Sequence, residues 1–221
     1  MVAATAWMRG YVRLALYRGC PRPHLLAAPV PSPARFAGRP AYWSDLVVRA
    51  DSSYRCLEDT FGGTIGWTIE DSHSGFNMPR FHLLKYRRNS TERRYARSLK
   101  GLINPLGALT AVAEGRVDIA PVNSFCHDLL RASGHPVTQV TRILDRTEPS
   151  PIPVLVASSD VSREDARAVS EALLSANVTA EAAPLLQATR IERFVLPEES
   201  TYERGKVLDS SARQASFAVP A

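Results

Sequence analysis

The run Asp71-Ser72-His73-Ser74-Gly75 has the residue types and spacing to hold an oxyanion. Ser72 and Ser74 supply two hydroxyl donors, and Gly75 lacks the Cβ that would keep a ligand away. The run joins an apolar segment, Thr64 to Ile69, to one with helical apolar spacing, about Gly75 to Tyr86. It therefore lies where a strand ends and a helix begins. The first N–H groups of a helix have no intrahelical acceptor and carry the positive end of the macrodipole. Strand, Ser-x-Ser-Gly, helix is thus a cradle for a phosphate or phosphonate group. Ser, Asp and Asn are also the preferred helix N-caps, so taken alone the run reads more simply as a cap.

A second polar pair, Asn123-Ser124, follows the strand-like Val117 to Val122 and precedes a helix reaching about Ala132. Both hydroxyl-bearing loops thus follow strand ends, which is where open α/β sheets bind ligands. That coincidence favours an anion site over capping. His73, Cys126 and His127 support a different reading, an enzyme acting on a phosphorylated or heterocyclic small molecule. That chemistry needs a nucleophile and a base within hydrogen-bond reach. The simpler reading of the same residues is an exposed loop histidine and a buried thiol.

The elements that position these loops follow from the pattern of the rest. Leu25 to Val30 is a short apolar run closed by the proline-rich stretch Pro29 to Pro40, read as loop or extended chain. Ser44 to Ala50 is a strand with a β-branched centre. Pro79 must sit in the first turn of the helix that follows the serine loop. Asn104 caps a helix over Pro105 to Glu114, with Pro at its first position and Gly115 as its stop. Val140 to Leu144 and Val154 to Ala157 read as strands, with Pro149, Pro151 and Pro153 as a linker. Ser162-Arg163-Glu164-Asp165 opens an Ala-rich helix to Ser175, and a shorter helix spans Pro184 to Thr189. Strands alternating with helices give an α/β class with a largely parallel sheet.

At 221 residues the chain can bury a substantial core in one domain or two lobes. Hydrophobic residues at 45% and charged residues at 22% are those of an ordinary globular protein. A net charge of +5 favours anionic partners without separating nucleic acid from a small anion. The basic run Arg87, Arg88, Arg93, Arg94, Arg97, Lys100 has only Tyr95 as an interleaved aromatic. It reads as a solvated surface, so no nucleic-acid partner is expected. Cys20, Cys56 and Cys126 are too few and too widely spaced for a disulfide framework or a zinc site, and no metal or cofactor is expected. No segment is apolar and long enough to span a membrane. Arg9, Arg13 and Arg18 interrupt the N-terminal apolar patch, so no export signal is visible. A third reading is the effector-sensing domain of a regulator, which would need a DNA-binding helix-turn-helix that residues 1–23 are too short to supply.

Four stretches resemble the phosphate/phosphite/phosphonate substrate-binding components of ABC transporters, of the type 2 periplasmic-binding-protein fold. They are Tyr42 to Asp51 followed by Cys56-Leu57-Glu58-Asp59, Gly66 to Asn77, Val112 to Ala120, and Ile152-Pro153 before a returning strand. Together they cover about residues 24–195, and the second and third are the more specific. The resemblance implies an α/β protein of two lobes, joined by a two-segment hinge near Asp51 and Pro149, that close on a ligand. It implies ligand contacts from Ser72, Ser74 and Gly75, from Asn123 and Ser124, and more loosely from Tyr42. Family members carry a further strand-helix-strand unit before the equivalent of Leu25, so the first lobe is expected to be incomplete. The division implied is 1–50 for the partial first lobe, 51–148 for the second, 149–199 for the return, and 200–221 for a disordered tail. The implied role is a monomeric, non-enzymatic binder of a small oxyanion that serves ABC-transporter membrane subunits. Its compartment by resemblance is the periplasm, although the sequence as written, without an export signal, fits the cytoplasm.

Overall fold

The computed structural model describes residues 23–87, 93–202 and 214. The described residues form two compact units, 23–42 with 150–202 and 43–149. The chain passes from one to the other between Tyr42 and Trp43 and returns between Pro149 and Ser150. The strand Ser44–Arg49, which a division at residue 50 leaves in the first lobe, is hydrogen-bonded on both edges within the second unit. The segment before Leu25, expected to stand in for a missing strand and helix, lies almost wholly outside the described residues.

In the first unit β1 (His24–Pro31) is the middle strand of a sheet with β9 (Leu155–Ala157) and β10 (Ile191–Val195). The strand takes in Pro29 and Pro31, which the sequence placed at the start of a loop. Its first half pairs with β9 and its second half with β10. Each half is therefore an edge on one side, where a missing N–H breaks no ladder bond. Helix α4 (Arg163–Leu174) packs on β1, and its Ser170 hydroxyl donates to Leu26 O at 2.6 Å. Ser162 caps it through a 3.0 Å bond from Asp165 N–H, as its sequence signature indicates. Helix α5 (Ala183–Thr189) follows, and β2 (Ala41–Tyr42) pairs with β8 (Ser150–Pro151). The expected tail begins with a short helix, α6 (Glu199–Tyr202), whose Tyr202 hydroxyl donates to Ile152 O at 3.2 Å. Most of the rest of that tail lies outside the described residues.

The second unit is built on β3 (Ser44–Arg49), flanked by β6 (Ala120–Asn123) and β7 (Thr141–Arg146). Both pairings are antiparallel. Among the described residues, parallel pairing is confined to β4 (Thr64–Gly66) with β5 (Arg97–Leu99) and a bridge from Ile65 to Ile119. The largely parallel sheet expected from strand–helix alternation is thus corrected. The reason is topological: β3 follows the entry into this unit and β7 precedes the exit, so neighbours of that kind must run oppositely. Side chains alternate across β3. Leu46 and Val48 face a cluster with Ile65, Trp67, Phe76 and Leu83. Val47 faces the other, with Val122 and with Ala108, Leu109 and Val112 of α2 (Pro105–Ala113). Ser44 shares the side of Leu46, and Asp45 that of Val47.

Candidate functional site

The chain leaving β4 runs through Trp67–Asp71 into a helical segment that starts as a π turn, His73–Asn77, and continues as α1 (Met78–Leu83). Its first backbone bond is Asn77 N–H to Ser72 O at 3.0 Å. The Ser74 N–H precedes that bond and has no intrahelical acceptor. Single π turns inside helices recur at functional sites. The Ser72 hydroxyl accepts from Gly75 N–H at 2.9 Å, so Ser72 is the helix cap. Ser74 is only 8% exposed, and its hydroxyl has no hydrogen-bond partner among the described residues. The two serines of one motif are therefore placed differently: one closes the helix, and the other keeps a hydroxyl without a partner among the described residues.

Gly75 is required for a reason that the sequence did not indicate. A Cβ built there falls 1.8 Å from Thr68 Oγ1 and 2.8 Å from Thr68 Cβ, so the glycine makes room for Thr68.

Ser44, read from the sequence only as the start of a strand, connects the two polar loops. Its hydroxyl donates to Ser74 O at 2.6 Å, and its backbone pairs with Asn123 in the β3–β6 ladder. Strand β6 also packs directly on the π turn. Asn123 caps α3 (Ser124–Ala132), with Oδ1 accepting from Phe125 N–H and Cys126 N–H at 3.0 Å each. Its amide nitrogen, on a half-buried side chain, remains as a donor. Ser124 is fully buried, and its hydroxyl accepts from Trp43 N–H at 3.0 Å, which fixes it to the start of β3. Tyr42 is buried in the first unit. Ser72, Ser74, Gly75 and Asn123 are thus brought together in the second unit, Ser124 is turned into its interior, and Tyr42 belongs to the other unit.

A buried positive charge belongs to the same helical segment. Arg80 lies over the Phe76 ring at 5.0 Å and donates to Asn77 Oδ1 at 3.3 Å. The Asn77 amide nitrogen pairs with His73 Nδ1 at 3.1 Å. His73, expected as an exposed loop residue, is only 5% exposed. Its burial lowers its pKa to about 4, so the ring is neutral at pH 7. The groups that suggested an enzyme are not arranged as nucleophile and base. Burial pushes the Cys126 thiol up to about 11, away from thiolate. His127 is fully buried and its Nδ1 pairs with Asp45 Oδ2 at 2.9 Å, while Trp43 Nε1 donates to Asp45 Oδ1 at 3.0 Å. Among the described residues no cluster of three or more His, Cys, Asp or Glu side chains could hold a metal, and no helix is long and apolar enough to cross a membrane.

A family model described as the periplasmic phosphonate substrate-binding protein of ABC transporters matches residues 22–202. No curated protein matches. Among solved structures, a binding-protein component of an ABC phosphonate transporter from Pseudomonas aeruginosa aligns with a TM-score of 0.72 at 21% identity. That alignment covers 86% of this chain and 63% of the Pseudomonas protein. PhnD1 from Prochlorococcus marinus, in complex with methylphosphonate, aligns with a TM-score of 0.73 at 13% identity, covering 88% of this chain and 73% of its own. A Xanthomonas citri protein bound to chloride aligns with a TM-score of 0.66 at 21% identity, covering 96% and 77%. At such identities these structures establish the fold alone.

Proposed function

The chain belongs to the family of periplasmic phosphonate substrate-binding proteins of ABC transporters, and from that premise we propose that its second unit binds a small oxyanion, a phosphate, phosphite or phosphonate, at the Ser72–Gly75 loop. A solute-binding role with transporter membrane subunits as partners comes with the family. The oxyanion assignment is carried by one observation: Ser74, a residue only 8% exposed at a helix start, carries a hydroxyl with no hydrogen-bond partner among the described residues. A hydroxyl donor gains most from a charged acceptor. The Ser74 N–H, the Asn123 amide nitrogen and the buried guanidinium of Arg80 all favour negative charge there.

In this reading the protein binds without catalysing, acts as a monomer, has no nucleic-acid partner and works in the periplasm. The inert Cys126 and the enclosed His127 support a non-enzymatic role. Calorimetric titration of the full chain with phosphate, phosphite and methylphosphonate tests it. Binding of at least one anion, weakened about tenfold or more by Ser74→Ala, is the expected result. A chain that binds none of the three, or a Ser74→Ala variant that binds as the parent does, removes the oxyanion site.

A further inference from the structure

Resting on that oxyanion reading, we propose that the hydroxyl of Thr68 is a further donor to the bound anion, so that the site has an inner wall on the strand side of the loop. Thr68 is the second residue past the end of β4 and only 5% exposed. Its Oγ1 is buried and has no hydrogen-bond partner among the described residues. Its backbone, by contrast, is fully used: the N–H reaches Gly75 O at 3.4 Å, and the carbonyl accepts from Gly101 N–H at 3.1 Å. The hydroxyl is what is left over.

Its position says what it is left for. The point where a Gly75 Cβ would sit lies 1.8 Å from Thr68 Oγ1 and 2.9 Å from Ser72 Oγ. Thr68 Oγ1 therefore fills the place of the missing side chain, with Ser72 Oγ beside it and Ser74, the neighbour of Gly75, carrying a hydroxyl without a partner among the described residues. Valine has almost the shape of threonine and would fill the same space without burying an unmet donor. A threonine there is unfavourable in the empty site and becomes favourable once a charged acceptor is present. The ligand class that fits several converging hydroxyl and backbone N–H donors is a tetrahedral oxyanion, inorganic phosphate or a monosubstituted phosphonate.

Calorimetry on the full chain with inorganic phosphate and methylphosphonate, together with the Tm of the ligand-free protein, decides the matter. Thr68→Val should bind roughly 10- to 100-fold more weakly than the parent, with a ligand-free Tm equal to or above the parent's. Thr68→Ser should restore most of the affinity. If Thr68→Val does not fold, Thr68→Ala is read in the same way. A raised Tm with unchanged affinity would mean that Thr68 is only an unmet buried hydroxyl, and the proposal falls while the oxyanion site stands. A parent that binds neither anion removes the site and this proposal together.

Discussion

The Ser44 hydroxyl donates a 2.6 Å hydrogen bond to the carbonyl oxygen of Ser74, tying the helix start that carries the candidate anion loop to the strand that pairs with Asn123. Ser44 is itself held on both sides. Its N–H donates to Thr147 Oγ1 at 3.0 Å, and its carbonyl accepts from Thr147 N–H at 3.0 Å. A fully buried side chain with this many fixed neighbours sets the position of Ser74 rather than following it.

Ser44→Ala should therefore act on both stability and binding. The Ser74 carbonyl loses its side-chain donor in a buried place, an effect of ~1–3 kcal/mol. Affinity for the oxyanion should fall as well, because Ser74 is less well placed. Urea denaturation and calorimetry on the same variant measure the two losses. The double variant with Ser74→Ala should lose less affinity than the two single losses added, since both act through one group. Additive losses would show that the tether does not position the loop.

The two serines of the motif should separate cleanly. Ser72→Ala removes the helix cap and should destabilise the ligand-free protein by about 1 kcal/mol. Ser74→Ala removes a hydroxyl with no partner in the empty protein, so its ligand-free stability should match or exceed the parent's while affinity drops. Thermal unfolding with and without phosphate distinguishes them. Equal losses of Tm in both ligand-free variants would contradict the division of roles.

What was legible in the sequence was local. Ser162 with Asp165, Asn104 with Pro105, and Gly115 after its helix mark boundaries through contacts a few residues apart, and the helices stand where those signals put them. The Ser72–Gly75 loop at a helix start was visible for the same reason. What it does in detail was not, because the deciding contacts are distant in sequence. Ser44 meets Ser74 across 30 residues, and His127 meets Asp45 across 82. No periodicity announces either. Strand direction was misread because alternation of strand and helix fixes the order of elements but not which strands become neighbours. The Ile191–Val195 strand passed unnoticed because its pairing partner, β1, lies at the other end of the chain.

Gly75→Ala tests the packing account of that glycine. The new methyl would fall 1.8 Å from Thr68 Oγ1 and 2.8 Å from its Cβ, and the second contact is with a stiff part of a β-branched side chain. Overpacking of this kind costs typically ~1–3 kcal/mol. Combining it with Thr68→Ala should recover part of the loss by removing the nearer atom. Denaturant midpoints of the single and double variants give the answer. A Gly75→Ala protein as stable as the parent would mean that the loop has room that these contacts deny.

The last prediction concerns acid. His73 is buried and neutral, with a folded pKa of about 4 against an ordinary value of 6.5. Above pH 6.5 the ring is neutral in both states and titration has no effect on stability. As pH falls below 6.5 the unfolded chain takes up a proton that the folded protein refuses, so stability declines until pH reaches about 4, where both states are protonated. The span corresponds to on the order of 3 kcal/mol. His73→Gln retains an acceptor for the Asn77 amide but does not titrate. Its loss of ligand-free stability between pH 7 and pH 4.5, measured by urea denaturation, should be smaller than the parent's. Identical pH profiles for the two proteins would show that His73 is not held neutral by the loop that encloses it.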